Sequence, residues 1–276
     1  MTSITRRCDL AHMSSTFVRL IASTILISVL AIAPAAPGQG HPVSPQEPVT
    51  PTVIVVGFVG GFVRRDDDRH PEVQVAERLS EEDIPGLHAT VYENRRRGKA
   101  RQLVLRWLDT NRDGHLSIKE KQNAHIILFG HSWGGSAAIK LARDLNRRDI
   151  PVSMTIEVDS INKFTGDDCL IPPNVAEAIN FYQTRGLVHG CHAIRAADPE
   201  RTRILGNYRF EYTSQPAACR SYSWANRHFF KTHEAMDCDP RVWSQINETI
   251  DALVQSSEHG QPEPGEAELA SATAHR

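Results

Sequence analysis

The stretch that decides the fold is Gly130-His131-Ser132-Trp133-Gly134-Gly135. An apolar run at 125–129 precedes it and predicts a buried strand, while small, helix-forming residues at 136–143 follow it and predict a helix. A Gly-x-Ser-x-Gly pattern therefore stands on a tight strand-to-helix turn that lifts the Ser132 hydroxyl clear of the backbone. The flanking glycines leave room where the turn has no space for a Cβ atom.

In this setting the motif resembles the nucleophile elbow of the α/β-hydrolase family. The resemblance implies an α/β fold, namely a three-layer α/β/α sandwich with a mostly parallel sheet. It also implies that Ser132 is a nucleophile. The competing interpretation is a tight glycine turn in a Rossmann-like sheet, with a serine that takes no part in chemistry.

Length, charge and the N-terminal pattern define the organisation of the chain. The 276 residues suit one α/β domain with additional segments, and the formal net charge of −2 favours no nucleic-acid partner. Positive residues, an apolar run at 20–33 and then small residues follow the order of a secretory signal peptide. The run is also nearly long enough to span a bilayer.

We therefore predict four segments. They are a signal peptide or N-terminal membrane anchor (1–36), a linker (37–52), an α/β-hydrolase domain (53–254) and a disordered tail (255–276). The predicted location is secreted or periplasmic. The alternative is a protein tethered to the outer side of the membrane through residues 17–36.

Four cysteines follow the apolar run: Cys169, Cys191, Cys219 and Cys238. An even number in an oxidising compartment predicts two disulfides, although the residues do not choose among the three possible pairings. Buried free thiols are the competing interpretation.

The oxyanion donors are predicted from the first strand and from the elbow. A β-branched run at 53–56 predicts a central parallel strand, and the glycine-rich stretch 57–62 predicts a turn after it. The family resemblance implies one donor in this turn, the Phe58 amide, and a second in the Trp133 amide. A phosphate-binding loop is the competing interpretation of the turn, but no Gly-Lys-Ser/Thr follows it.

The acid and the base are predicted from their places after strands and before the last helix. Asp159 follows the predicted strand 151–158, on the rim where α/β sites form, and its rivals are Asp167, Asp168 and Asp198. A final helix is predicted from Asp239-Pro240 to about residue 254. The resemblance implies a base in the loop before that helix, which favours His233 over His228.

Further elements are predicted from periodicity. Helices are expected at 73–79, 100–108 and 174–182, and strands at 88–92 and 207–212, whereas 186–206 is not assigned. The stretch 162–183 could also cover the site.

Residues 109–120 match D-x-[DN]-x-[DN]-G-x5-E and resemble an EF-hand calcium loop. The resemblance implies a structural Ca²⁺ and a sharp turn at Gly114. Its ligands would be the side chains of Asp109, Asn111 and Asp113, the carbonyl of His115, Ser117 through water, and both Glu120 carboxylate oxygens. The competing interpretation is a polar helix-turn-helix linker with Asp109 as a cap.

Together these features predict a secreted serine hydrolase that cleaves carboxylic esters or thioesters through a Ser132-His233-Asp159 triad and an acyl-enzyme. A small-molecule or lipid ester is the expected substrate, and no organic cofactor is expected. Two alternatives remain open. One is a non-catalytic, calcium-binding surface module with the same fold, and the other is an acyltransferase that uses the same serine.

Overall fold

The computed structural model describes residues 51–162, 167–224, 228 and 230–258. The predicted signal peptide or anchor, most of the linker and most of the tail lie outside these residues. None of the helices in the described ranges combines the length and the apolar character that a membrane crossing requires.

Eight strands are present in the described part of the chain. They are β1 (Thr52–Val59), β2 (Leu87–Glu93), β3 (Ala124–His131), β4 (Val152–Val158), β5 (Leu170–Ile171), β6 (Val175–Tyr182), β7 (Arg195–Ala196) and β8 (Arg203–Arg209). Six of them form a wholly parallel sheet in the order β2-β1-β3-β4-β6-β8. The short strands β5 and β7 pair separately.

Helices connect and cover these strands. They are α1 (Pro71–Glu81), α2 (Arg97–Leu108), α3 (Ile118–Gln122), α4 (Trp133–Asn146), α5 (Lys231–Cys238) and α6 (Pro240–Glu258). Two 3₁₀ turns, Asn94–Arg96 and Ala217–Ser221, are also present. The last helix continues four residues beyond its predicted end.

The side chains of β1 show why the fold has three layers. Ile54, Val56 and Phe58 belong to a core cluster that contains residues of α2 and α4. Val53 and Val55 belong to a second cluster, which contains residues of α1 and α6. A strand buried on both faces requires a continuous apolar run, and this is the pattern of residues 53–56. The predicted three-layer α/β/α sandwich is confirmed.

The helix predicted at residues 174–182 is a strand in the structure. The composition of residues 174–182 predicts a helix, but β6 is a strand that pairs with β4 and β8. Its alanines, glutamate and asparagine are poor strand formers, and pairing on both edges overrides that preference. The predicted cover at 162–183 is therefore partly a strand of the sheet.

The first strand runs further than predicted, through Gly57 and Phe58. A Cβ on Gly57 would lie 2.6 Å from Cζ of Phe129 on the neighbouring strand. The glycine is therefore needed for side-chain packing rather than for a turn. Similarly, β8 begins four residues before its expected start at Asn207 and ends before Tyr212.

Candidate active site

Ser132 occupies the sharp turn between β3 and α4. Its backbone angles, φ 58° and ψ −125°, are rare for a residue that carries a Cβ atom. The Ser132 amide donates to the Val158 carbonyl at 2.9 Å, and the Ile161 amide donates to the Ser132 carbonyl at 3.1 Å. Backbone strain of this kind costs about 1–3 kcal/mol and persists only where the surrounding structure imposes it.

Glycines on either side of Ser132 let the end of β1 approach the elbow. A Cβ on Gly134 would collide with the Phe58 carbonyl oxygen, and a Cβ on Gly130 would lie 2.6 Å from the same oxygen. Any larger residue at either position would force β1 away from α4. The close approach therefore requires both glycines of the motif.

Asp159 follows β4 directly and is fully buried. One carboxylate oxygen, Oδ1, accepts the Gly190 amide at 2.7 Å, and Oδ2 accepts the Gln183 side chain at 2.9 Å. Burial raises the pKa of Asp159, but hydrogen bonds from His233, Gln183 and Gly190 and the charge of His233 outweigh burial and hold that pKa below its ordinary value. The carboxylate is therefore ionised near neutral pH.

His233 meets this carboxylate directly. Its Nδ1 lies 2.7 Å from Oδ2 of Asp159, and the residue is 5% exposed. When Nδ1–H donates to the carboxylate, the neutral imidazole carries its lone pair on Nε2. The residue lies in the first turn of α5 rather than in the predicted loop, and α6 follows that helix after a single residue, Asp239.

The alternative candidates for the acid and the base lie away from the contact between His233 and Asp159. Asp168 is buried but accepts hydrogen bonds from Ser136 and Arg143, and Asp167 pairs with Arg195. Asp198 accepts the Glu200 amide in a surface turn. His228 is exposed, with its Nδ1 2.9 Å from the Trp224 carbonyl. The structure brings His233 and Asp159 together and leaves these four outside that contact.

The predicted oxyanion donors have different placements. Phe58 is fully buried within β1, where the register pairs it with Tyr92 of β2 and Gly130 of β3, so it is not part of a turn. Trp133 is the first residue of α4 and lines the cavity at Ser132. The turn begins two residues after Phe58, at Gly60, because the side chains of the longer β1 pack on both faces of the sheet.

The turn 60–63 faces the elbow. Val63 donates its amide to the Gly60 carbonyl at 3.2 Å, and Gly61 has φ +42°, a conformation that favours glycine. A Cβ on Gly60 would lie 3.1 Å from the Ser132 Cβ. Asn94 holds the turn, since its side chain donates to the Gly61 carbonyl at 2.7 Å. Sequence reasoning missed Asn94, and no motif marks it.

A cavity of about 580 Å³ contains both Ser132 and His233 in its wall. Its apolar lining comes from Phe62, Val63, Trp133, Ile161, Val188 and Phe230. The Phe62 and Trp133 rings meet edge to face with centroids 5.5 Å apart. A cavity of this size and character suits a ligand of small-molecule size.

His131 contacts the helix α5, which carries His233. Its Nε2 lies 3.2 Å from the His233 carbonyl oxygen, and its Nδ1 lies 3.4 Å from Oδ1 of Asp237. Burial lowers the pKa of His131 to about 4, so the ring is neutral near pH 7. These contacts give His131 a structural part beside the nucleophile.

The calcium-like loop is local and exposed. The oxygens of Asp109 accept the Asp113 and Gly114 amides at 3.1 and 3.0 Å, and Glu120 Oε1 accepts the Thr110 amide at 3.0 Å. Gly114 has φ +81°. Hydrogen bonds from Ser117 lower the pKa of Glu120 to about 2, so this carboxylate is ionised. The oxygens are of the type that Ca²⁺ prefers, and they face the loop's own amides.

Two disulfides cross-link segments in the second half of the domain. Cys169 pairs with Cys191, and Cys219 pairs with Cys238. The first bond includes Cys191, which directly follows Gly190, the amide donor to Asp159. The second bond joins the 3₁₀ turn 217–221 to the end of α5. Disulfides persist in oxidising compartments, which suggests an extracellular or periplasmic location.

No protein-family model and no curated protein matches this chain. One solved structure that is similar is the crystal structure of a dienelactone hydrolase-like promiscuous phosphotriesterase from metagenomic libraries. The two chains are 14% identical, the match covers 75% of this chain and 89% of that chain, and the TM-score is 0.34. The fold assignment therefore rests on the strand order and the helical layers described above.

Proposed function

We propose that this protein is a serine hydrolase that cleaves carboxylic esters, with Ser132 as nucleophile, His233 as general base and Asp159 as the residue that orients the base. The observation that carries this proposal is the 2.7 Å contact between His233 and Asp159, in a site where His233 and the strained Ser132 line one cavity. An oriented imidazole and a serine on the same cavity wall are two of the parts that serine activation needs, and the proposed mechanism requires that Nε2 of His233 reach the Ser132 hydroxyl.

In the first half of the reaction the Ser132 Oγ attacks the ester carbonyl carbon. The hydroxyl proton passes to Nε2 of His233, and Asp159 stabilises the imidazolium through Nδ1–H. When the tetrahedral intermediate collapses, the C–O bond to the alcohol breaks and the imidazolium returns its proton to the leaving alkoxide. The acyl group then remains on Ser132.

In the second half a water molecule takes the place of the alcohol. His233 accepts a proton from water, the resulting hydroxide adds to the acyl carbon, and the Ser132 oxygen leaves and regains the proton. The products are a carboxylic acid and free enzyme. A thioester would follow the same steps with a thiol as the leaving group.

The oxyanion donors in this proposal are the amide of Trp133 and an amide of the turn 60–63. Trp133 opens α4, so its amide belongs to the positive end of the helix dipole. The turn replaces Phe58 because Gly60 is the residue that approaches Ser132. Each such donor stabilises the transition state by about 2.7–4 kcal/mol.

The cavity indicates an ester with an apolar acyl or alcohol group of modest size. Aromatic and aliphatic side chains form much of its wall, including Phe62 and Trp133 on the oxyanion side. Burial of an apolar substituent is favourable by about 25 cal/mol per Å². The activity kcat/KM should therefore rise with acyl length in a series of p-nitrophenyl esters until the cavity is filled.

That series tests the proposal when the wild type is compared with Ser132→Ala. Wild type should hydrolyse the esters with a burst of p-nitrophenol, which indicates an acyl-enzyme, and the variant should show neither burst nor turnover. Hydrolysis that is undiminished in Ser132→Ala would overturn the proposal. Products formed with added alcohols would instead identify an acyltransferase, and an inert but folded wild type would favour the non-catalytic surface module.

A second proposal concerns Ca²⁺ at residues 109–120. The observation that favours it is that loop amides hold the Asp109 and Glu120 carboxylates in place around a turn at Gly114. The remaining ligands would be the side chains of Asn111 and Asp113, the carbonyl of His115, and Ser117 through water. The ion would fix the connection between α2 and β3.

Calorimetric titration with Ca²⁺ tests the loop. Wild type should give binding heat, and Asp113→Ala should give none because it loses one of the carboxylate ligands. If wild type also gives no heat, the loop binds no calcium.

We also propose that the protein works outside the cytoplasm, as its two disulfides suggest. Its N-terminal segment would serve as a signal peptide or as a tether through residues 17–36. Mass spectrometry of the mature protein would separate the two, since cleavage removes the segment and tethering retains it.

A further inference from the structure

Behind the elbow, three metal-ligating side chains meet in the protein interior. His70 precedes α1, Glu72 lies in its first turn, and Asp237 lies near the end of α5. One potential ligand atom from each lies within 4.8 Å of the others. The three residues are 6%, 0% and 2% exposed, so this is a buried cluster formed by two distant segments.

Several polar atoms of the cluster lack partners. Among the described residues, Glu72 Oε2, Asp237 Oδ1 and the Tyr222 hydroxyl make no hydrogen bond of good geometry, and their neighbours are one another and His131, whose Nδ1 lies 3.4 Å from Asp237 Oδ1. A buried carboxylate oxygen without a partner is costly, and native proteins leave few such groups. Two carboxylate oxygens that face one another without a well-placed donor favour a cation or a proton between them.

The charges of the cluster are also unbalanced. Asp237 Oδ2 lies 2.7 Å from Nδ1 of His70, and Glu72 Oε1 accepts the His131 amide at 3.3 Å. Among the described residues, the ion pairs of Asp237 are with His70 and His131, and Glu72 has none.

We propose that His70, Glu72 and Asp237 bind one divalent transition-metal ion, with Zn²⁺ the best match. One imidazole nitrogen and two carboxylate oxygens are ligands that Zn²⁺ takes in tetrahedral sites, with bonds of about 2.0–2.2 Å. Tetrahedral ligand atoms at such bond lengths stand about 3.3–3.6 Å apart, which is within the spread of this cluster. The ion's two positive charges balance the two carboxylates.

The cluster borders the cavity that contains Ser132. His70, Asp237 and Tyr222 line the same cavity as Ser132, so an ion and its bound water can enter from solvent. The Tyr222 ring stacks on His70 with centroids 4.5 Å apart, which brings its hydroxyl to the site. That hydroxyl can accept a hydrogen bond from, or donate one to, a metal-bound water.

The ion is a positioning element and does not contact the reacting carbonyl. It joins the start of α1 to α5, four residues after His233, and Glu72 also accepts the amide of His131 beside the nucleophile. Metal binding would hold the base and the nucleophile in fixed relation. Its removal should therefore lower the thermal stability as well as the activity.

A shared proton is the competing occupant, and the variant Glu72→Gln distinguishes it from a metal. The amide reproduces the shape and hydrogen bonding of a protonated glutamate, but it removes the anionic ligand. Glu157→Gln is the matched control, because Glu157 is an equally buried carboxylate outside the cluster. His70→Asn removes the nitrogen ligand independently.

The experiment uses the full chain carrying Ser132→Ala, so that its result does not depend on catalysis. Exposed His189 and His192, whose rings are 4.9 Å apart, are changed to alanine to remove a surface site for zinc. The protein is stripped with a chelator and titrated with Zn²⁺ in excess Ca²⁺, which occupies the loop 109–120. Zinc content, calorimetric affinity and the visible absorption of a Co²⁺ derivative are measured.

One equivalent of Zn²⁺ should bind and raise the unfolding temperature. Glu72→Gln and His70→Asn should each lower the affinity by more than about 100-fold, because even lost outer-shell partners cost 10–100-fold, while Glu157→Gln should retain it. The proposal is overturned if the parent binds no zinc, or if Glu72→Gln binds it as tightly as the parent. In either case the cluster holds a proton.

Discussion

The proposed triad and the calcium-like loop are built in opposite ways. Ser132, Asp159 and His233 come from three separate segments, and they are 7%, 0% and 5% exposed. The loop 109–120 is contiguous, and the hydrogen bonds of its acidic side chains are exposed. The proposed triad depends on the parallel sheet and α5 to bring its members together, whereas the loop's acidic side chains bond to neighbouring groups of the loop itself.

This difference determines how strongly a substitution in each region should affect activity and stability. Removing one partner of a buried charge pair leaves the other charge buried without compensation, which costs about 3–5 kcal/mol. Exposed contacts contribute little on their own, since screening and side-chain entropy offset them. Changes at the triad should therefore be large and catalytic, and changes in the loop should be small and confined to calcium affinity.

The largest expected effect is that of Asp159→Asn. An amide cannot hold the Nδ1–H tautomer of His233 or stabilise its imidazolium, so kcat/KM for esters should fall by about 10⁴-fold. Steady-state hydrolysis of a p-nitrophenyl ester measures this fall. Asp113→Asn in the loop is the matched control and should change kcat/KM by less than about twofold. Equal losses in the two variants would break the distinction between the regions.

Removal of either disulfide should have the second largest effect. Cys219→Ser with Cys238→Ser, or Cys169→Ser with Cys191→Ser, should each lower the free energy of unfolding by about 2–4 kcal/mol. Both bridges lie near triad residues, and neither belongs to the loop. Urea denaturation measures the loss of stability, and calcium affinity should be unchanged in both variants. A bridge whose loss weakens calcium binding would show that the two regions are coupled.

The effect of calcium on stability should be smaller. A single unpaired loop outside the cell is expected to bind with Kd of about 10⁻⁴–10⁻³ M. At a calcium concentration roughly ten times Kd, binding would add about 1.4 kcal/mol to the free energy of unfolding. Thermal denaturation with and without Ca²⁺ tests this, and Glu120→Gln should abolish the difference. A shift that survives in Glu120→Gln would place the ion elsewhere.

The smallest expected effect is an acid dependence due to Asp159. Its folded pKa lies below the ordinary value, so its stabilisation is complete above about pH 4 and is lost as pH falls through the folded pKa. The unfolding temperature should thus decline on acidification below about pH 4. Asp159→Asn should show a shallower decline in this range, and an identical decline in both proteins would contradict the lowered pKa.

The contrast between the regions also explains what the sequence could predict. The elbow, Asp159 and the loop are each marked by a local pattern, and His233 is marked by its place before the last helix. The apolar run 53–56 predicts a strand buried on both faces. These inferences need only neighbouring residues and the general plan of a parallel sheet.

Other features depend on contacts that no local pattern contains. Strand β6 has helix-forming composition and is a strand because β4 and β8 pair with it. Gly57 looks like a turn residue and is small because the Phe129 ring packs on it, so β1 continues past Phe58 and the turn begins at Gly60. The cluster of His70, Glu72 and Asp237 joins segments far apart in the chain, so spacing cannot reveal it.

The most direct test of the central claim is reaction with a fluorophosphonate probe followed by peptide mass mapping. The wild-type protein should gain one label, located on Ser132, because His233 activates that hydroxyl. Ser132→Ala should gain none, while Ser136→Ala, one turn further along α4, should keep the label. A folded wild type that stays unlabelled, or a label that persists in Ser132→Ala, would contradict the account.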